Sequence, residues 1–160
     1  MDFKIRKTTR EDVSSILKLI QELADFEKEP EAVEISEEDL LQDGFQENPL
    51  FTCFVAEINQ TVVGMALCYF RYSTWKGKTV HLEDLIVQQN FRGKGIGKAL
   101  YKKTLQFAVE NNVKRVEWVV LNWNKNAVDF YKNSGASVFK EWNTVQFEEK
   151  AFKNYLNRKA

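Results

Sequence analysis

The chain has 160 residues, 44% of them apolar and 13% aromatic, which is enough to bury one core of ordinary size and excludes disorder over most of its length. Its 23 acids balance its 23 bases, which argues against bulk-charge binding to nucleic acid, and no run approaches the length of a membrane span. The two cysteines, Cys53 and Cys68, make no disulfide framework and point to a reducing, cytoplasmic compartment, and one histidine, His81, with two scattered cysteines offers no zinc site.

Phe3 to Lys7 alternates as a short strand. Thr8 and Glu11 stand at capping-box spacing before an amphipathic helix carrying Val13, Ile16, Leu17, Ile20, Leu23 and Ala24, which fades near Glu29-Pro30. Ser36 opens a second, short helix with Glu37, Glu38 and Asp39 in its first turn, and Gly44 stops it. Phe51 to Ile58 and Val62 to Tyr72 flank Asn59-Gln60 and read as a hairpin, in which Gly64 marks a bulge or a close backbone approach. After a loop over 73–78, Thr79 to Val87 is a third hairpin-region strand. A glycine-rich turn then leads into a helix from about Ile96 to Asn111. A strand over 115–121, a helix over 124–133 stopped near Gly135, a strand over 137–147 and a polar helical tail complete the order. Hairpins followed by a strand-helix-strand crossover predict one α/β domain over 1–160, a mixed central sheet with helices on both faces.

Charge is uneven along the chain. Residues 1–50 hold 14 acids and 6 bases, whereas residues 91–160 hold 6 acids and 14 bases. Either these are solvated helix faces, or one end favours a cation and the other phosphates.

The stretch Arg92-Gly93-Lys94-Gly95-Ile96-Gly97-Lys98 joins a buried strand to a helix. Its glycines allow positive φ, the helix start adds unpaired amides and a positive dipole end, and Arg92, Lys94 and Lys98 add full charge; together they make a diphosphate cradle. A Rossmann loop fits poorly, because Lys98 stands where the third glycine belongs, and a Walker loop lacks its Gly-Lys-Ser/Thr.

Several blocks recur in order. They are Ile16 to Ala24, Asp43-Gly44-Phe45, Tyr72 to Lys78, Leu82-Glu83-Asp84-Leu85, Arg92 to Gly97, and Asn122-Trp123-Asn124 with Phe130-Tyr131-Lys132 and Gly135-Ala136. Through them nearly the whole chain resembles the GNAT N-acetyltransferases, in particular the diamine (spermidine/spermine) and thialysine group. The resemblance implies an acetyl-coenzyme A (acetyl-CoA) dependent enzyme that acetylates a primary amine of a small cationic substrate by direct attack, without an acyl-enzyme and without a metal. It also implies a homodimer, and no nucleic acid or membrane partner. The alternative is a domain of the same fold that binds coenzyme A without turnover, as a sensor or partner module.

The chemistry sets demands of its own. A lysine-like amine of pKa about 10.4 is almost wholly protonated at pH 7, a handicap of about 4–5 kcal/mol, so a base is valuable. Glu83 is the candidate base. Asp84 is adjacent, and on a regular strand the two face opposite sides; both serve one site only if a bulge re-aims one of them. The resemblance gives Tyr131 the role of proton donor to the departing thiolate. It gives the backbone of Leu85, Ile86 and Val87 to the pantetheine arm, Gly93 to Lys98 with Arg92 to the pyrophosphate, and Asn124, Lys125, Asn126 and Ala127 to further coenzyme contacts. Phe26, Glu27, Trp75, Asp84, Glu117, Trp118, Val119 and Glu141 are its candidate amine-side residues, Trp75 through cation–π attraction. Ser73 replaces the acid that polyamine-selective members carry two residues before the tryptophan, which favours a diamine or a lysine-like amino acid.

Overall fold

The computed structural model describes residues 2–157, which fall into two compact units, Met1–Val119 and Val120–Ala160. The first unit runs β1 (Lys4–Lys7), α1 (Val13–Glu27), α2 (Glu37–Gly44), β2 (Thr52–Ile58), β3 (Thr61–Ser73), β4 (Gly77–Val87), α3 (Ile96–Glu110) and β5 (Val116–Glu117). The strands form a sheet in the order β1-β2-β3-β4-β5, antiparallel throughout except for the parallel pair β4–β5.

Alternation sorts the sheet's residues onto two faces. Cys53, Val55, Met65, Leu67 and Ile86 share a core with Val13, Ile16 and Leu19 of α1 and Leu40 of α2. Phe54 and Phe70 point the other way and meet Phe107 of α3, with ring centroids 5.7 and 5.4 Å apart. Helices therefore cover both faces, as the pattern of strands and helices predicts.

Local chemistry sets the helix ends. The first capping pair lies one residue later than its sequence spacing suggests: the Thr9 amide donates to the Asp12 carboxylate at 2.8 Å, in a single 3₁₀ turn ahead of α1. Asp12 is chosen over Glu11 because Arg6 donates to both its oxygens, at 2.6 and 2.8 Å, and also to Glu57 at 2.7 Å. Arg6 thereby holds the Asp12 carboxyl below its usual range. Ser36 and Asp39 cap α2 reciprocally.

The loop expected over 73–78 is shorter, because the Ser73 hydroxyl accepts from the amides of Trp75 and Lys76 and Gly77 turns at φ 76°. Two expected strands are curtailed for a different reason. The strand over 115–121 pairs only at Val116 and Glu117, and residues 137–147 form no strand. A strand exists only by pairing, and the described part of the second unit, which holds α4 (Lys125–Asn133) and α5 (Glu149–Leu156), contains no strand for this segment to pair with.

Gly64 combines both features its position suggested. The β2–β3 register slips beside it, Ala56 pairing with Gly64 and Glu57 with Val62, and a Cβ there would lie 2.8 Å from the Ile86 carbonyl and 3.2 Å from the Val87 Cα. Gly64→Val is expected to lower the urea midpoint, destabilising the fold by about 1–3 kcal/mol; an unchanged midpoint would mean that β3 and β4 can part freely here.

Candidate active site

The site begins with an irregularity in β4. Leu67 of β3 pairs with Asp84, but the next residue, Cys68, pairs with Leu82, so Glu83 is an extra residue with no opposite number. This bulge changes the expectation of opposed carboxylates. Asp84 shares a face with Leu67, on the α1 side, and the Glu83 side chain reaches that side too, where its Oε2 accepts from the Tyr69 hydroxyl at 2.9 Å. His81 Nε2 lies 3.5 Å from the same oxygen. Among the described residues Glu83 has no arginine or lysine partner, and about half of its side chain is exposed.

Electrostatics marks the same place. Burial, reinforced by the charges of Glu83 and Glu27, pushes the Asp84 carboxyl up to about 7. Glu27, at the end of α1, is itself raised by desolvation. Three carboxyl groups whose fields overlap make a site that gains from a bound cation. Burial and Glu83 also raise Tyr69 to about 12, so its phenol remains a donor.

The neighbouring charges pair off. Glu117 of β5 is held by Arg71 at 3.0 Å and by Arg115 at 2.9 Å, so its charge is already compensated. Trp118 sets its ring edge-on to Tyr101 of α3 at 5.7 Å, on the α3 side of the sheet, whereas Val119 is largely exposed. Trp75 stands 77% exposed at the tip of the β3–β4 hairpin, and Phe26 is partly exposed on α1.

At the other end of β4, pairing with β5 stops at His81–Glu117, so along Leu85, Ile86 and Val87 the edge away from β3 has no strand partner among the described residues. The chain then turns through a short 3₁₀ segment into α3. Gly93 and Gly95 take φ 74° and 81°, with open space where a Cβ would project, and Gly95 is the N-cap of α3 without a side-chain capping bond. The first amides of α3, from Ile96, Gly97 and Lys98, thus keep their hydrogens for an incoming anion. Arg92 donates from Nε to the Val87 carbonyl at 2.8 Å and lies over the Phe26 ring at 5.4 Å, and Lys94 donates to the Asn90 carbonyl. Glycines in the left-handed region, free amides and open space suit a diphosphate, and the bare edge of β4 suits an extended arm bearing amides.

In the second unit, the Asn124 side chain accepts from the Ala127 amide at 3.3 Å and caps α4, which Lys125 and Asn126 open. Tyr131 is buried and packs edge-on to Phe130. Glu141 is exposed and accepts from the Lys140 amide. Sequence reasoning missed Tyr69, His81 and Arg71. The spacing of His81 and Glu83 by two residues was a usable signal for one of them; Tyr69 and Arg71 become visible only with the β3–β4 register.

A strand edge leading into a glycine loop and a helix N-terminus has the form of a site for a ligand that joins an amide-bearing arm to a diphosphate. Comparison with known proteins gives the class. Residues 16–136 match the Acetyltransferase (GNAT) family. A thialysine N-epsilon-acetyltransferase from Sus scrofa is 42% identical over 96% of this chain and 97% of its own length. Spermidine/spermine N(1)-acetyltransferase-like protein 1 from Homo sapiens is 39% identical over 84% of this chain and 20% of its own. Among solved structures, an integron cassette protein from the V. cholerae mobile metagenome superposes with a TM-score of 0.79 at 26% identity over 99% of each chain. The chain belongs to the GNAT acetyltransferase family, whose members use acetyl-CoA.

Asp84 yields a pH-dependent expectation. Its carboxyl is raised in the fold from 3.8 to about 7, so folding favours its protonated form, and stability falls as pH rises from about 4 to about 7. Asp84→Asn is expected to raise Tm by a few degrees at pH 8 and by less at pH 5. An equal gain at both values would contradict the assignment.

Proposed function

We propose that the protein transfers the acetyl group of acetyl-CoA to a primary amine of a small cationic substrate, a diamine or a lysine-like amino acid such as thialysine. The bulge that puts Glu83 beside Asp84 carries the reading, because it gives one site both a base and the charge to hold an ammonium. Relatives named for thialysine and for spermidine/spermine acetylation support the substrate class, and Ser73 favours its smaller members.

Glu83 takes a proton from the ammonium, freeing the lone pair that attacks the thioester carbonyl. Asp84 and Glu27 offset the substrate's charge. The side chain of Trp75 and that of Phe26 offer faces to the cation or its carbon chain, and the resemblance adds Val119 and Glu141, both exposed, to the amine side. Glu117, already paired twice, and Trp118, packed on α3, act through the fold around the site. Backbone groups of Leu85, Ile86 and Val87 align the carrier arm, and the amides from Gly93 to Lys98 hold the diphosphate. For Asn124 to Ala127 as coenzyme contacts, and for the Tyr131 phenol as donor to the departing thiolate, the support is the sequence resemblance at Asn122-Trp123-Asn124 and Phe130-Tyr131-Lys132. Neither cysteine is a nucleophile: both are buried, and burial pushes the Cys68 thiol up to about 12 and Cys53 higher still.

The family match runs from 16 to 136 and so crosses the boundary between the two units, which supports one functional domain over 1–160. Exposed Phe139, Trp142, Val145 and Phe147 support a second copy of the chain as partner, and two thiols without a disulfide support the cytoplasm. No described helix is long and apolar enough to cross a membrane, and no described group of side chains is arranged to hold a metal.

Two measurements test the reading. Glu83→Gln is expected to lower kcat/KM for the amine by about 10²–10⁴-fold and to move the pH optimum upward; unchanged activity between about pH 6 and 9 would remove Glu83 from the chemistry. Arg92→Ala is expected to weaken acetyl-CoA binding by about tenfold, as loss of one charge-assisted contact does, with the amine KM little changed. The reverse pattern would misplace the diphosphate.

A further inference from the structure

The base of the proposed reaction has a support that its sequence block does not contain. We propose that His81 is a positioning residue for Glu83: with Tyr69 it fixes one carboxylate oxygen, Oε2, and leaves Oε1 to face the amine. The inference rests on the reading of Glu83 as base.

The geometry is built by register. Tyr69, His81 and Glu117 are opposite one another on β3, β4 and β5, and so lie on one face of the sheet. The bulge then turns Glu83 back toward this row. Tyr69 donates to Oε2 at 2.9 Å, and His81 Nε2 stands 3.5 Å from the same atom. The two rings brace each other, with centroids 5.2 Å apart and planes tilted by 35°. The histidine contact is long for a hydrogen bond, as such contacts commonly are before substrate closes the site. Oε1 has no partner among the described residues.

The tautomer follows from burial. His81 Nδ1 is buried and has no hydrogen-bond partner among the described residues. A proton there would be a buried, unpaired donor, so the neutral ring carries its hydrogen on Nε2, toward Glu83. The charged and titratable groups facing the ring are Glu83 on its own strand, Tyr69 and Arg71 on β3, and Glu117, which is paired with Arg115, on β5. Burial lowers the His81 pKa, Glu83 and Glu117 oppose the shift and Arg71 adds to it; the net shift is downward and favours the neutral ring. A neutral imidazole donates to the carboxylate without cancelling its charge, whereas an imidazolium would make Glu83 a poorer base. A further consequence is that protonation of His81 in acid strains the site twice, by burying a charge and by weakening the base.

The experiment uses the full chain, saturating acetyl-CoA and an amine that the wild type acetylates, with kcat and KM measured across pH. His81→Leu is expected to lower kcat about 10–100-fold, the worth of a hydrogen bond to a charged group, with the acetyl-CoA KM unchanged. His81→Gln, whose amide N–H reaches the place of Nε2–H, is expected to recover most of that loss and to show a shallower acid limb, since no imidazole remains to charge. Tyr69→Phe keeps the ring contact, loses the second donor and is expected to lower kcat as well; should His81→Leu fail to fold, Tyr69→Phe and His81→Gln carry the test. Adding His81→Leu to Glu83→Gln should cost no further activity. Equal losses in His81→Gln and His81→Leu, or an unchanged kcat in Tyr69→Phe, would overturn the positioning role. Full activity in Glu83→Gln would instead overturn the reading on which it rests.

Discussion

One unpaired residue in β4 organises the site. A regular strand would send Glu83 and Asp84 to opposite faces, one into the packing of α3 and the other toward α1. The bulge at Glu83 turns both carboxyls to the α1 side, where the end of that helix brings Glu27 within electrostatic range. The cost falls mainly on Asp84, whose carboxyl is pushed up to about 7 by burial first and by the charges of Glu83 and Glu27 second. A cation entering the site relieves that cost, so substrate binding and carboxyl ionisation are coupled.

In the proposed function the same strand also serves the acetyl carrier, at its far end. β4 outruns β5, leaving a backbone edge bare at Leu85, Ile86 and Val87, and then feeds the glycines that open α3. A carrier laid along that edge with its diphosphate on the helix start points its reactive end back up the strand, toward the bulge. The continuity of β4 thus fixes the spacing between the glycine turn and Glu83, the positions proposed for the diphosphate and the base. Gly64 fits this scheme as a place where β3 lies too close to the end of β4 to admit a Cβ.

Much of this was legible in the sequence, for particular reasons. The glycine loop announces itself because its residue types have few other uses between a strand and a helix. The helices α1 and α3 follow from apolar periodicity, and Glu83-Asp84 stands out as a pair of acids in a strand otherwise suited to burial. What sequence could give only as a condition was the bulge, since pairing register is a property of two strands, and neither contains it alone. Tyr69 was missed for the same reason: it is a neighbour of Glu83 across the sheet, 14 positions away along the chain. The strand over 137–147 was overread, because alternating apolar residues are necessary for a strand but a partner edge must also exist. Glu117 was expected on the amine side, and its pairing with two arginines, one of them on β3, was not visible in the sequence.

The most direct test is a crystal structure of the protein with coenzyme A and an unreactive amine both bound. The account predicts the diphosphate on the amides between Gly93 and Lys98, the arm along the edge of β4, and the amine nitrogen at about 3 Å from Glu83, on the face shared with Asp84. An amine bound on the α3 face, or a diphosphate held away from the start of α3, would contradict it.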